Sequence, residues 1–263
     1  MPVLEILHEA PRRSPARGSI LLIHGACMGA WCWKDNFLPW FADQGYASYA
    51  LSLRNHAGSE KQGRLRLKSI YEYVDDLRQA IRPLEGPVYL IGHSMGGFVT
   101  HHYLSRRPDP KRRKAVLLWS PPAQGDLRVI GRLLRKLPLP FLQANLRMSW
   151  IPVFRKPANA RTVMFSEHCP EEKIIDVIRN MQDESFLAFL EMTALNLPDY
   201  RKVTTPLMVV GGEKDFLVSE TATRKMAARY GVQALVVPEG PHNLMMEAGW
   251  EKIAREIDAF FCT

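Results

Sequence analysis

The sequence lacks the features that would place the chain in a membrane or around a metal ion. Its 263 residues contain no uninterrupted apolar run long enough to span a bilayer. The four cysteines, at positions 27, 32, 169 and 262, do not have the spacing of a metal site, so we expect free thiols. The first residues do not combine a basic segment with an apolar core, which predicts no secretory signal and a cytoplasmic protein.

Acidic residues are the scarcer charged class. The chain has 27 Asp and Glu against 35 Lys and Arg, a formal net charge of +8. Such an excess is compatible with nucleic-acid binding, and the segment RRPDPKRRK (106–114) concentrates it. Because no aromatic residues interleave with these charges and no nucleic-acid-binding motif is present, we predict a surface loop and no nucleic-acid partner.

Short apolar runs alternate with amphipathic segments along most of the chain. Helical patterns cover 69–84, 219–231 and 247–261. The apolar runs are VLEIL (3–7), SILLIH (19–24), YASYAL (46–51), VYLIG (88–92), AVLLWS (115–120), PLMVVGG (206–212) and QALVVP (233–238). Continuous apolar strands joined by amphipathic helices are typical of parallel sheets covered on both faces. The sequence therefore predicts an α/β fold with a doubly wound, mostly parallel sheet.

This alternation stops after the strand that ends near Ser120 and resumes at about residue 204. The intervening stretch is too long for a single crossover and too regularly patterned for a disordered loop. We predict a helical cap at residues 123–198, inserted into a core formed by residues 1–122 and 199–263.

Residues 88–97 read VYLIGHSMGG, an apolar strand followed by Gly92-His93-Ser94-Met95-Gly96 and a helical pattern. The order strand, G-x-S-x-G, helix is that of a nucleophile elbow, in which a strained turn presents the serine hydroxyl. Residues two before and two after the serine approach each other closely, which accounts for Gly92 and Gly96. An ordinary Gly/Ser turn is the alternative, and the correct flanks favour Ser94 as a nucleophile.

An acid and a base follow the elbow at the ends of later strands. Asp215 comes just after PLMVVGG, and His242 lies in the loop after QALVVP. The chain order serine, acid, histidine is that of α/β-hydrolases and differs from the chymotrypsin and subtilisin orders. The nearest rivals for the acid are Glu213, on the turn before Asp215, and Glu239, which is too close to His242 in sequence to reach the far side of its ring.

The strand SILLIH leads into His24-Gly25 and a loop of small residues. We predict that the backbone N–H groups of Ala26 and Met95 form an oxyanion hole. The remaining candidate histidines (His24, His56, His93, His101 and His102) have no nucleophile to serve and are expected to be structural. Cys27, beside this loop, is expected to pack or to line the pocket, because no elbow presents its thiol.

These motifs resemble those of the α/β-hydrolase fold superfamily over nearly the whole length of the chain. The loop HGACMGAW is similar to that of plant methylesterases and hydroxynitrile lyases. The elbow and GYASYALSLRNHAGSE (45–60) look more like bacterial esterases and monoacylglycerol-lipase or lysophospholipase relatives. Where those relatives have D-L-R-G-H-G-x-S, this chain has Ser52, Asn55 and Ala57 in place of the Asp and both glycines, and we expect a looser loop there.

The resemblance implies a serine hydrolase that needs no cofactor or metal and cleaves carboxylic esters of small to medium apolar acyl groups through an acyl-enzyme. Two alternatives stay open because this fold supports many chemistries. One is a non-hydrolytic enzyme or C–C hydrolase, such as a lyase or a haloperoxidase. The other is a ligand receptor that retains the triad.

Residues 127–166 hold eight basic and no acidic side chains among many apolar ones. A solvated basic face is one interpretation. The other is a lid that contacts anionic membrane or micelle surfaces transiently through an apolar, basic-rimmed face. The sequence does not predict an oligomeric state.

Overall fold

The computed structural model describes residues 1–106, 112–118 and 125–263. Within them, seven strands form one sheet: β1 (Ile6–Glu9), β2 (Ser19–Ile23), β3 (Ala47–Leu51), β4 (Val88–His93), β5 (Arg112–Leu118), β6 (Leu207–Gly212) and β7 (Ala234–Val237). Their order is β1-β3-β2-β4-β5-β6-β7. Only β1 runs antiparallel to its neighbour; the other pairs are parallel. The predicted mostly parallel sheet is confirmed.

The described α-helices are α1 (Phe37–Asp43), α2 (Ile70–Ile81), α3 (Met95–Arg106), α4 (Arg128–Lys136), α5 (Pro138–Arg147), α6 (Ile151–Phe154), α7 (Pro157–Met164), α8 (Glu171–Asn180), α9 (Phe186–Leu190), α10 (Glu220–Arg229) and α11 (Trp250–Cys262). Single 3₁₀ turns occur at Ala30–Trp33, Leu65–Leu67, Tyr200–Lys202 and Leu244–Met246, and a π-helical turn at Glu191–Leu195. Every helix among the described residues is too short or too polar to traverse a bilayer.

The strands alternate their side chains between two apolar layers. Ile20 and Leu22 of β2 lie in the layer that includes residues of α1 and α11. Leu21 and Ile23 lie in the opposite layer, with residues of α2, α3 and α10. This period of two, with both faces buried, is why the parallel strands read as continuous apolar runs. Because these strands run parallel, the carboxyl ends of β2, β4, β6 and β7 meet along one edge of the sheet, where the predicted site residues lie.

The first strand begins later than predicted, at Ile6 instead of Val3. Its last pairing partner on β3 is Leu51, opposite Ile6. Residues before Ile6 lie beyond the end of β3 and bond to the following loop, as when the Val3 amide donates to the Glu60 carboxylate. No neighbouring strand therefore extends along the first half of VLEIL, and Val3 is exposed.

Helices α4–α9 and the π-helical turn all lie between β5 and β6, and we refer to residues 125–199 as the inserted segment. The predicted boundary near Ser120 lies outside the described residues, as do residues 107–111 of the basic run 106–114. Three of the segment's helices (α5, α6 and α7) have proline in their first turn, where the missing N–H costs no helical hydrogen bond.

Candidate active site

Ser94 stands on the sharp turn between β4 and α3, as the elbow motif predicts. Its φ is +49°, a left-handed conformation that non-glycine residues rarely adopt. The turn is tight because a side chain at Gly92 would come within 2.5 Å of the Gly96 carbonyl oxygen. A side chain at Gly96 would collide with the backbone of β2. Both glycines are thus required for the turn that exposes the Ser94 hydroxyl.

The structure brings Ser94, His242 and Asp215 together. The Ser94 hydroxyl lies 3.0 Å from His242 Nε2, to which it can donate its proton. His242 Nδ1 donates to Asp215 Oδ2 at 2.9 Å. The other oxygen of Asp215 accepts the amides of Leu217 and Val218 at 2.7 and 3.0 Å, which fixes the carboxylate plane. The three groups form one hydrogen-bonded chain with the geometry of a nucleophile, a base and an orienting acid.

The two rival carboxylates lie outside this chain. The Glu213 side chain accepts the backbone N–H of Glu239 at 3.0 Å. Glu239 is exposed, and its carboxylate lies 3.5 Å from the Lys214 ammonium. Asp215 is the carboxylate that contacts the His242 ring.

The predicted oxyanion donors flank the serine. Met95 is the first residue of α3, so its N–H has no carbonyl one turn earlier within the helix to accept it. Ala26 and Cys27 line the same cavity as Ser94. Cys27 has φ +65°, and its thiol is fully buried, which raises its pKa. A thiol held in its neutral form fits the expectation that Cys27 lines the pocket and is not a nucleophile.

An apolar cavity opens above Ser94, between the edge of the sheet and the inserted segment. Its space is about 760 Å³, counted with the part open to solvent. Most of the walls are apolar side chains of the inserted segment and of the loop after β6, including Val129, Leu133, Trp150, Phe154, Phe189 and Leu217. Asp126 and Glu184 are the carboxylates in its lining. The cavity therefore suits an uncharged apolar group next to the serine.

Glu184, which sequence reasoning missed, lies buried next to the loop that follows β2. Its carboxylate accepts bonds from the Cys27 amide (3.1 Å), the Tyr73 hydroxyl (2.9 Å) and the Ser185 amide (2.7 Å). It also accepts a bond of 2.9 Å from His56 Nε2. No local signal could reveal this site, because Glu184 lies 128 residues from His56 and 157 from Cys27 in sequence.

His56 faces acceptors at both ring nitrogens, the Glu184 carboxylate and the Arg54 carbonyl. A ring that donates from both nitrogens carries a positive charge. Burial by itself would lower the pKa of His56, but the charge of Glu184 and their hydrogen bond outweigh burial and raise it. Burial would likewise raise the pKa of Glu184, and the charge of His56 lowers it instead. The two groups form a buried ion pair.

The remaining predicted structural histidines are buried and uncharged. His24 accepts the Leu53 amide at 3.1 Å and donates to the Gly25 carbonyl at 2.8 Å. His93 donates to the His242 carbonyl at 3.0 Å, and burial lowers its pKa. Burial lowers the pKa of His24 and His101 to about 3 and that of His102 to about 4. His24 and His93 therefore hold backbone next to the site, whereas His101 bonds to the Tyr230 hydroxyl and His102 to the Asn196 carbonyl.

Specific hydrogen bonds hold the loop after β3, where the replacement of the Asp and both glycines led us to expect a looser loop. Asn55 and Ala57, which replace glycines, keep left-handed φ values of +66° and +44°. Asn55 bonds to the backbone of Gln62 through both ends of its amide. Ser52, in place of the Asp, accepts the Ala30 amide at 2.8 Å and donates to Glu5 at 2.6 Å. Specific hydrogen bonds hold the backbone where glycine would otherwise be needed.

The inserted segment is hydrogen-bonded to each loop of the site. Besides Glu184, the Gln182 amide donates to the Cys27 carbonyl at 3.1 Å. Arg132 donates to the carbonyls of Phe216 and Leu217, just after Asp215, both at 2.7 Å. The amide of Asn243, next to His242, donates to the Met164 carbonyl at 2.8 Å.

Comparison with known proteins agrees with this architecture. A model of the alpha/beta hydrolase family matches residues 20–256, nearly the whole chain. The chain belongs to the alpha/beta hydrolase family. An esterase from Exiguobacterium antarcticum superposes with a TM-score of 0.77 over 100% of this chain and 96% of its own, at 15% sequence identity. At that identity the likeness concerns the fold.

Sequence relatives match the chain over shorter segments. Methylesterase 8 of Arabidopsis thaliana is 31% identical over 34% of this chain and 33% of its own length. Phospholipase YtpA of Bacillus subtilis is 31% identical over 39% of each chain. The chain thus matches between a third and two fifths of the length of these curated relatives. Within the described ranges, no group of three or more His, Cys, Asp or Glu side chains is placed to hold a metal ion.

Proposed function

We propose that this alpha/beta hydrolase is a serine esterase that cleaves carboxylic esters through an acyl-enzyme. The observation that carries the proposal is the hydrogen-bonded chain from Ser94 through His242 to Asp215 at the base of an apolar cavity. In this proposal residues 123–198 act as a cap on a core of residues 1–122 and 199–263.

In the proposed reaction, Ser94 Oγ attacks the ester carbonyl carbon while His242 Nε2 accepts the hydroxyl proton. The tetrahedral intermediate carries its negative charge on the former carbonyl oxygen, to which the N–H groups of Ala26 and Met95 donate. His242 then returns the proton to the leaving alkoxide, and the alcohol departs from the acyl-enzyme. Water, deprotonated by His242, repeats the attack and releases the carboxylic acid. Asp215 orients the imidazole and stabilises its positive charge throughout.

Small to medium apolar acyl groups fit this site best. The cavity walls are mostly apolar, and among the described residues that line it there is no Lys or Arg to bind an anionic acyl group. One relative is named a methylesterase, and that name supports an ester as the bond cleaved.

The proposal is tested by an activity screen and a covalent probe. Wild type should hydrolyse p-nitrophenyl esters, with the highest kcat/KM for short to medium chains, and a fluorophosphonate should label it once. Ser94→Ala should lose both the labelling and the turnover while keeping the wild-type circular dichroism spectrum. Ser105→Ala, a buried serine of α3 outside the cavity, is the matched control and should keep both.

Three outcomes would contradict the assignment. Labelling that persists in Ser94→Ala, or that moves to Cys27, would show that another residue is the nucleophile. Cleavage of cyanohydrins in place of esters would favour a lyase. Peroxide-dependent halogenation would favour a haloperoxidase, and cleavage of a C–C bond would favour a C–C hydrolase. A reactive Ser94 without turnover of any ester would favour a ligand receptor.

A further inference from the structure

The outer side of α4 and α5 exposes large apolar side chains. Leu139, Leu142 and Leu146 are 69%, 53% and 78% exposed, and their spacing puts them on one side of α5. Leu134 of α4 is 51% exposed. The opposite side of α5 carries the buried Phe141 and Ala144, so the exposed leucines are not part of the core. We call Leu134, Leu139, Leu142 and Leu146 the outer face.

The surroundings of the outer face are basic. Neither Asp nor Glu occurs between residues 127 and 166. Six exposed basic residues lie in this stretch: Arg128, Arg135, Lys136, Arg147, Arg155 and Lys156. None of the six forms an ion pair with a carboxylate in the described part of the chain. Arg132 is also among the basic residues of this stretch. Its side chain turns inward to Asp126 and to the loop after Asp215, so it does not belong to the exposed basic surface.

We propose that the outer face docks the protein on an anionic lipid surface. Exposed leucines can enter the headgroup boundary while the surrounding cations contact lipid phosphates, the arrangement of interfacial helices. A symmetric dimer through the same face would bring two sets of basic residues together with no acidic residue of the face to neutralise them. The inner side of α4, through Val129 and Leu133, lines the cavity, so a docked lipid surface would lie directly over the roof of the proposed active site.

Vesicle sedimentation tests this proposal independently of any ester hydrolysis. The intact protein should sediment with phosphatidylcholine vesicles that contain phosphatidylglycerol and should stay in solution with phosphatidylcholine alone. The variant R128Q/R135Q/K136Q should partition about 100-fold more weakly, because each cation near an anionic surface contributes several-fold to affinity. The variant L139S/L142S should also lose binding. Binding should weaken as salt rises above about 0.15 M, where the screening length is near 8 Å.

The matched control is R13Q/R82Q/R255Q, which removes three exposed positive charges that lie outside the inserted segment. It should keep nearly all of the vesicle binding. The proposal is wrong if wild type does not bind the anionic vesicles. It is also wrong if the control loses as much vesicle binding as R128Q/R135Q/K136Q. A concentration-dependent dimer that L139S/L142S abolishes, with vesicle binding unchanged, would assign the face to self-association and overturn it as well.

Glu184 supports a second proposal, which is independent of lipid docking and rests on the proposed function. The Glu184 carboxylate accepts the Cys27 amide, and the Gln182 amide donates to the Cys27 carbonyl, so both sides of this residue are fixed. Cys27 has the strained φ of +65°, and the preceding residue is the proposed oxyanion donor Ala26. The bond from the Cys27 amide to Glu184 fixes the peptide group between Ala26 and Cys27, so its loss would free the backbone torsions of Ala26 and with them the direction of the Ala26 N–H. We infer that Glu184 is a positioning residue that aims this N–H.

A comparison of two buried glutamates tests the inference. Glu191, also in the inserted segment and 3% exposed, accepts the Ile70 amide at 2.6 Å and the Ser69 hydroxyl at 2.8 Å. Glu184→Gln should lower kcat at least tenfold with little change in KM, since loss of a whole donor lowers kcat by about 10²–10³-fold. Glu184→Ala, which leaves no acceptor, should lower it further. Glu191→Gln should lose thermal stability to a similar extent and keep kcat within a factor of about two.

The rate of Ser94 labelling by a fluorophosphonate provides a second readout, because the phosphoryl oxygen needs the same two donors. Glu184→Gln should slow this labelling, and Glu191→Gln should not. Equal losses in both variants, or a rise in KM at constant kcat for Glu184→Gln, would reduce Glu184 to a structural residue. Failure of the proposed function is distinguishable, because wild type would then turn over no ester.

Discussion

Ser94 illustrates how single residues are held in unfavourable conformations at this site. Its left-handed backbone costs about 1–3 kcal/mol, which surrounding contacts must offset. The Ser94 amide donates to the Leu118 carbonyl at 2.8 Å, and its carbonyl accepts the Phe98 amide at 3.1 Å. These bonds tie the turn to β5 and to α3, so the hydroxyl is fixed in direction before any substrate binds.

At the same scale, Asp215→Asn should lower kcat/KM by about 10³–10⁴-fold. The two amides that anchor one Asp215 oxygen would still be satisfied, leaving the amide NH₂ to face His242 Nδ1. A donor in that place favours the histidine tautomer that cannot accept the Ser94 proton. Steady-state hydrolysis of one p-nitrophenyl ester measures the effect, and circular dichroism checks the fold.

Glu213→Gln is the matched control, because Glu213 lies two residues earlier and its side chain accepts the Glu239 amide instead of contacting His242. It should stay within about twofold of wild type. Near-normal activity in Asp215→Asn together with a large loss in Glu213→Gln would reverse the assignment of the acid.

Among the elements, those of the core were predictable because their patterns are local. Six strands overlap the predicted runs closely, since each is apolar and bounded by turn residues. The helices at Ile70–Ile81, Glu220–Arg229 and Trp250–Cys262 begin and end within three residues of the predicted segments. The three site residues were predictable for the same reason, since their signals are local. Ser94 lies in a short motif, and Asp215 and His242 each follow the end of a strand.

What the sequence could not provide are contacts between distant elements. His56 was expected to be structural, but its partner Glu184 was not predicted, because a salt bridge across 128 residues leaves no spacing to detect. Arg132 was counted among surface cations, although its guanidinium bonds to carbonyls 84 and 85 residues away. In both cases the partner depends on how the inserted segment lies on the core, which no local pattern specifies.

For the molecule as a whole, the His56–Glu184 pair makes the attachment of the inserted segment pH-dependent. The raised pKa of His56 contributes stability that is fully present below its ordinary value of 6.5 and lost as pH rises through the folded value. The lowered pKa of Glu184 contributes stability present above 4.5 and lost as pH falls through the folded value. The ion pair therefore contributes most to the stability of the folded protein between about pH 4.5 and pH 6.5.

Urea unfolding of wild type and Glu184→Gln measures this contribution. The difference in unfolding free energy should be about 3–5 kcal/mol at its largest, near pH 5–6, because removal of one partner leaves a buried charge. It should shrink toward pH 9 by at most about 1.4 kcal/mol per pH unit. Glu191→Gln, whose carboxylate bonds to no histidine among the described residues, should show a difference that does not change over this range. A constant difference for Glu184→Gln would mean that His56 is neutral in the folded protein.

The bonds from the inserted segment to the loops of Cys27, Asp215 and His242 have an evolutionary consequence. A chimaera that exchanged residues 125–199 for the corresponding segment of a relative would change substrate contacts and also remove Glu184, Arg132 and the Met164 carbonyl. A change of substrate specificity by recombination would then require that the new segment supply equivalent hydrogen-bonding groups at these three positions. In this chain, roof and active site have to be inherited together.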